Sequence, residues 1–279
     1  MKARAHSVCA LVFASAASLS LFSATSEINV DLKLPGGDFI AGESIRAVVD
    51  VANSSPDTIS VGYSNSADSL LIEVFRANDM HQLQHIRKSP FVAAFVIKSS
   101  EGQKLETFIG DHFSLWEPRR YLVRAVLVHR GLRYEGQLRA FDIVDGVKIG
   151  AATQLFATRP GLQREFTLVY WSRNHSEHLF ITAKDSGAKL RRWTTRDLGP
   201  MLRLENPAIS VMPSGEVVVL HRLTQDQFVR SEFWSLPDAL EFRFREAVQD
   251  PETAGTARVR ELYREGGIKA KSNPWWKFW

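Results

Sequence analysis

The sequence predicts an all-β protein. A two-sheet sandwich is expected over about residues 27–147 and a second antiparallel β-region over about 155–250, with a short helix over 251–267 leading to a basic aromatic tail at 268–279. Three observations carry that expectation. Apolar and polar residues alternate in short runs from Glu27 to about Gly146, turn-forming clusters interrupt the runs at close intervals, and no long stretch of helical periodicity intervenes. Strands of this kind bury one face each, and two such sheets closed on one another make a sandwich.

Taken in order, Ile28, Val30, Leu32 and Leu34 share one face of a first strand that Pro35-Gly36-Gly37 stops. A second strand follows Ala41-Gly42-Glu43, with Ile45, Ala47, Val49 and Val51 inward, and Asn53-Ser54-Ser55-Pro56-Asp57 turns the chain. Leu70, Ile72 and Val74 make a third. Phe91 to Lys98 is more continuously apolar and reads as a fourth strand buried on both sides. Tyr121, Val123, Ala125 and Leu127 alternate in a fifth, and Leu138 to Val144 closes the set.

The stretch Leu115-Trp116-Glu117-Pro118-Arg119-Arg120-Tyr121-Leu122-Val123 resembles the corner that leads into the penultimate strand of immunoglobulin-like and fibronectin-like domains. The resemblance covers about residues 27–146. It implies an immunoglobulin-like sandwich in which Tyr121 is structural, its hydroxyl bonding back to the corner backbone. The chain departs from antibody domains in lacking a cysteine pair, and it has no Gly after Pro118. Sandwiches of this type host unrelated activities, so the resemblance implies no function.

Beyond Ala151-Ala152-Thr153, strand-like runs recur at Phe166 to Trp171, His178 to Ala183, Leu190 to Thr194, Ile209 to Met212, Glu216 to His221, Phe228 to Trp234 and Leu240 to Phe244. Lys184-Asp185-Ser186-Gly187 and Pro213-Ser214-Gly215 are tight-turn signals between them. The runs group into two blade-like hairpin units, about 166–199 and 208–246. A closed propeller needs about four blades or more, so the expectation is a twisted sheet packed on the sandwich or a second small β-domain. From Pro251 to Glu265 the pattern turns helical: Thr253 or Thr256 serves as a cap, Val259, Leu262 and Tyr263 recur at helical spacing, and Gly266-Gly267 ends it.

The first 26 residues predict an address. Lys2 and Arg4 precede an apolar, Ala/Ser/Leu-rich run, and small residues Ala24 and Ser26 stand at −3 and −1 to a cut before Glu27, the pattern of a secretory signal peptide. The expected product is exported, periplasmic or extracellular. Its only cysteine, Cys9, is removed with the leader, which excludes disulfides, Cys-zinc sites and a Cys nucleophile. The formal charge of +4 is concentrated at the ends: Lys2 and Arg4 in the leader, and Arg258, Arg260, Arg264, Lys269, Lys271 and Lys277 near the C-terminus. The body between is mildly acidic, so a nucleic-acid partner is not expected. Nothing after the leader is long and apolar enough to span a membrane.

Candidate chemistry is sparse. His81 and His85 are four apart, a spacing that puts both on one face of a helix, and His175 and His178 flank a turn beside Glu177, but zinc needs three or four ligands, so these read as surface-loop histidines with no metal. Thr182 to Gly187 resembles the Asp-box turn of sialidase-like propellers, a structural element in that family. Asn53-Ser54-Ser55 and Asn174-His175-Ser176 are sequons in predicted turns. No G-x-S-x-G, P-loop or dinucleotide fingerprint is present, and no catalytic residue or cofactor is assigned.

The aromatic tail is the segment with most to gain from a partner. Three of the seven Trp fall in the last five positions, and each large aromatic buries about 150–250 Å² when covered. The leading expectation is an exported, non-catalytic binding or scaffolding protein of the cell envelope or extracellular space. Trp275, Trp276, Phe278 and Trp279 are its anchors, and Lys269, Lys271 and Lys277 steer it toward an acidic partner, whether a protein, an envelope surface or a glycan. Folding of the tail onto its own β-body is the plainer expectation. The alternative function is a carbohydrate-binding or glycoside-hydrolase accessory protein that stacks sugars on Trp171, Trp193 or Trp234.

Overall fold

The computed structural model describes residues 27–64, 66–87, 89–173, 175–187 and 193–249. The leader, the predicted helix over 251–267 and the tail at 268–279 lie outside the described residues. Among the described residues the protein is all-β, with several antiparallel sheets and no helix of seven residues or more.

Ten strands make the first unit: β1 (Ile28–Lys33), β2 (Asp38–Ile40), β3 (Arg46–Asn53), β4 (Ile59–Val61), β5 (Ser69–Arg76), β6 (Phe95–Ile97), β7 (Glu101–Phe108), β8 (Arg119–His129), β9 (Leu132–Glu135) and β10 (Arg139–Val144). One sheet runs β1-β3-β7. The other runs β2-β10-β8-β5 with β9 hung on β8, and β4 and β6 form a small pair of their own. All pairings are antiparallel except β2 with β10. The alternation read from the sequence is the reason for this packing: Ile28, Val30 and Leu32 of β1 and Ala47, Val49 and Val51 of β3 face Ile72 and Val74 of β5, Val123 and Ala125 of β8, and Phe141 and Ile143 of β10 in one buried cluster. Each such aliphatic or aromatic side chain contributes about 1.5–3 kcal/mol when fully buried.

Two details differ from expectation. The fourth strand, expected over Phe91 to Lys98 and buried on both sides, is only β6, and Val96 at its centre is exposed while Phe95 and Ile97 are buried. His81 and His85, by contrast, are exposed and outside any helix or strand, as expected of loop residues, and His85 packs edge-on against Phe91 and Phe113, ring centroids 4.8 Å away in both cases. Asn53 is not in an exposed turn. It is buried at the end of β3, its amide donating to the carbonyls of Asp57 (2.7 Å), Ile97 (3.3 Å) and Lys98 (3.2 Å), so its side chain is committed to the fold.

The second unit comprises β11 (Val147–Leu155), β12 (Gln163–Arg173), β13 (Ser176–Ser186), β14 (Trp193–Pro200), β15 (Ala208–Val211), β16 (Glu216–Arg222), β17 (Phe228–Leu236) and β18 (Ala239–Val248). They form two four-stranded antiparallel meanders, β11-β12-β13-β14 and β15-β16-β17-β18. The two blade-like runs therefore face each other: Phe166, Leu168, Leu179, Ile181 and Leu198 from one sheet share a core with Val217, Val219 and Phe233 from the other. Arg164 and Asp185 are a charged pair within these layers, each side chain 3% exposed. Arg164 bonds both Asp185 oxygens (2.6 and 3.0 Å), Ser235 Oγ (2.9 Å) and the Leu236 carbonyl (2.9 Å), which satisfies the charge and ties β12 to the β17–β18 hairpin. In the Asp-box-like segment, then, Asp185 is a structural residue.

Candidate functional site at the junction of the two units

Only Asp145-Gly146 connects β10 to β11. Gly146 has φ +68, and a Cβ there would press on Ile40 Cδ1 and the Tyr170 carbonyl, both at 3.1 Å. So short a connection brings the end of β2 onto the outer face of the β11–β14 sheet. Residues 40–43 then act as a strap along β14: Thr195 N donates to the Gly42 carbonyl (2.9 Å), Thr195 Oγ1 donates to the Ala41 carbonyl (2.6 Å), and Glu43 and Thr195 form a parallel bridge.

Apolar contact seals the strap. Ile40 is buried with Val169 and Phe180, and Val144 and Trp171 pack against them. Gly42, at φ +79, lies so close to Trp193 that a Cβ would fall 2.5 Å from the indole Cδ1. Trp193 thereby packs on the core of the first unit although it belongs to the second.

Beside the seal runs a chain of polar groups. Glu43 accepts two hydrogen bonds from Arg173 (2.8 and 2.7 Å) and one from Ile40 N (3.0 Å). Burial works against the Arg173 charge, but Glu43, with Asp197 and Asp38 farther off, more than reverses this and holds its pKa above the ordinary arginine value. Its guanidinium also lies over Phe39 and Phe180, 5.5 and 5.0 Å from their centroids. Asp197 accepts from Gly199 N (2.6 Å) and meets His178 Nδ1 at 3.0 Å, while His178 Nε2 meets Ser176 Oγ at 2.9 Å. Ser176 Oγ also reaches the Arg173 carbonyl, 3.1 Å away. Every member therefore has a partner in either histidine state. A neutral ring accepts the serine proton at Nε2; a protonated ring donates there, and the hydroxyl turns to the carbonyl.

Next to the strap opens a cleft of about 240 Å³. Thr167 and Thr182 form its floor; Lys148, Glu165, Lys184 and Trp193 stand around it. Lys148 is paired with Glu165 at 3.1 Å, and the Lys184 ammonium sits 4.7 Å from the Trp193 ring centroid. A second cleft, of about 310 Å³, lies at one end of the first unit between Arg76, His81, Gln84, Trp116, Glu117 and Tyr121. Ser176 belongs to neither cleft.

The residues expected to engage a partner, Trp275, Trp276, Phe278, Trp279, Lys269, Lys271 and Lys277, lie outside the described residues. The three tryptophans considered for sugar stacking do not share a surface. Trp171 packs in the junction seal, Trp193 is held between Gly42 and Lys184, and Trp234 on β17 has the Arg243 guanidinium 5.9 Å from its ring centroid. His178, read as a surface-loop residue, is 18% exposed and belongs to the junction chain. Sequence reasoning missed Glu43, Arg173 and Asp197. The one local signal was Gly42, read as a turn glycine, whose missing side chain makes room for a ring 151 residues farther along the chain.

No family model and no curated protein matches this chain. Among solved structures, Spo0M, a sporulation control protein from Bacillus subtilis, is 13% identical, with 86% of this chain and 98% of that one covered and a TM-score of 0.31. A DUF4784 family protein from Bacteroides caccae is 8% identical, with 80% and 71% covered and a TM-score of 0.21. At these scores neither likeness carries an argument.

Proposed function

We propose that this is an exported, non-catalytic binding or scaffolding protein of the cell envelope or extracellular space, in which a stiff double β-unit carries the C-terminal aromatic tail to its partner. The observation that supports this reading is the junction. Its apolar seal, backbone strap and Glu43–Arg173 pair hold two β-units in one orientation, and its charged groups are occupied with one another rather than aimed at a vacant centre. We also read the first unit as an immunoglobulin-like sandwich. The order β1-β3-β7 opposite β2-β10-β8-β5 supports that, as does the hydrogen bond from the Tyr121 hydroxyl to the Glu117 carbonyl at the corner before β8 (3.1 Å).

The test compares the full chain with one ending at residue 272. Sedimentation with vesicles of acidic and of neutral lipid, and with envelope fractions, should retain the full chain and lose the shortened one, at equal melting temperature. Equal retention of both removes the tail from the function. A native protein found in the cytosol with Met1 to Ser26 attached overturns the address.

A second reading, ester or amide hydrolysis, is favoured by one observation: Ser176, His178 and Asp197 are hydrogen-bonded in the order that activates a serine hydroxyl. A fluorophosphonate probe separates the readings. Labelling of Ser176 that disappears in His178→Gln supports hydrolysis, whereas an unlabelled full chain supports the binding protein.

A further inference from the structure

The β15–β18 sheet has two apolar faces. Val217, Val219 and Phe233 point into the core shared with β11–β14. Ala208, Val218, Leu220, Phe228 and Val248 form a separate cluster that crosses all four strands, Ala208 opposite Leu220 and Phe228 opposite Val248. Strand alternation puts this row on the opposite face of the sheet. It is not a wetted surface: Val218 is 0% exposed and Leu220 3%. Arg230 stands in the same face, its side chain 11% exposed, bonded to Glu232 and Glu246 and lying over Phe244. Among the described strands, β11–β14 meets the inner face, and the first unit sits beyond β11–β14 through the residues 40–43 strap. Arg222 lies over Phe228, 4.3 Å from its ring centroid, and the packing of the described strands leaves the cover of Val218 and Leu220 unaccounted for.

The chain supplies an occupant. Val248, the last residue of β18, belongs to the row, and residues 251–265 follow it directly. A helix over that stretch is about 22 Å long, and the row spans three strand spacings, about 14 Å. Val259, Leu262 and Tyr263 provide the apolar side, while Arg258, Arg260 and Arg264 would meet a face on which Glu216, Glu232 and Glu246 outnumber Arg222 and Arg230. We propose that residues 251–265 dock as an amphipathic helix across the outer face of β15–β18, with Val259, Leu262 and Tyr263 over Val218, Leu220 and Phe228. The tail at 268–279 then departs from an anchored helix. This holds or fails independently of what the tail binds.

Thiol reactivity tests it in the full chain carrying Cys9→Ser. Val218→Cys should react with a maleimide at least about 100-fold more slowly than the exposed control Leu155→Cys, and adding Val259→Asp with Leu262→Asp should bring it within about tenfold of that control. A Cys at 218 that reacts freely without those changes, or stays protected with them in a chain of native circular dichroism, overturns the proposal. Should the doubly acidic chain not fold, Glu216→Cys with Glu261→Cys and a short bis-maleimide gives a second measurement. Cross-linking within one chain supports the docking; cross-linking only between chains assigns the face to a second copy, and no cross-linking at all rejects it.

Discussion

His221 lies on β16 with 1% of its surface exposed, and neither ring nitrogen has a partner at hydrogen-bonding geometry. Burial, reinforced by Arg245, pushes its pKa down to about 4; the Pro200 carbonyl and Asp197 oppose this without reversing it. The unfolded histidine takes its proton near 6.5 and the folded one near 4, so the unfolded state binds more protons between those values. Stability from this residue is present above about pH 6.5 and is lost as pH falls toward 4, by about 2 kcal/mol between pH 7 and 5. In His221→Leu that share of the acid sensitivity should vanish, which urea titrations of both proteins at pH 7 and 5 will measure. An unchanged difference between the two pH values would reject the assignment. Tyr121 makes a second case. Loss of its bond to Glu117 in Tyr121→Phe should cost about 1 kcal/mol, read as a shift of the denaturation midpoint without a change in slope.

Among the elements, the β12–β13 hairpin carries a charged pair buried on both sides. Removing Arg164 leaves Asp185 buried without its partner, a loss of about 3–5 kcal/mol, whereas replacing both by apolar residues of similar volume restores much of that. The expected order of melting temperatures is therefore Arg164→Leu with Asp185→Leu well above Arg164→Ala, and a double variant as unstable as the single one would contradict it. Elements also differ in how openly the sequence announces them. β1 and β3 alternate cleanly because one side of each faces the core. β7 does not: Glu101, Gln103, Lys104 and Glu106 face water, and only Leu105 and Thr107 turn inward. With four exposed residues in a row at its start, its sequence resembles a loop. β6 misleads in the opposite sense, since apolar residues from Phe91 onward suggest a longer buried strand than Phe95–Ile97.

At the scale of the whole molecule the junction decides behaviour. Gly42→Val adds a side chain where φ is +79 and Trp193 already stands, so it should force the residues 40–43 strap from β14. Calorimetry should then resolve two unfolding transitions where the parent shows one, with Trp fluorescence following the lower. A single transition at the parent temperature would mean that the strap does not couple the units. By itself the sequence determined the class of structure and the inward-facing residues of most strands, because alternation and turn chemistry are local properties written residue by residue. Only the tertiary structure decided that the two later meanders face each other and that Gly42 receives Trp193. It alone joined Glu43, Arg173, Asp197, His178 and Ser176 in one chain, because each of those contacts depends on which sheet faces lie together, and no local spacing encodes that.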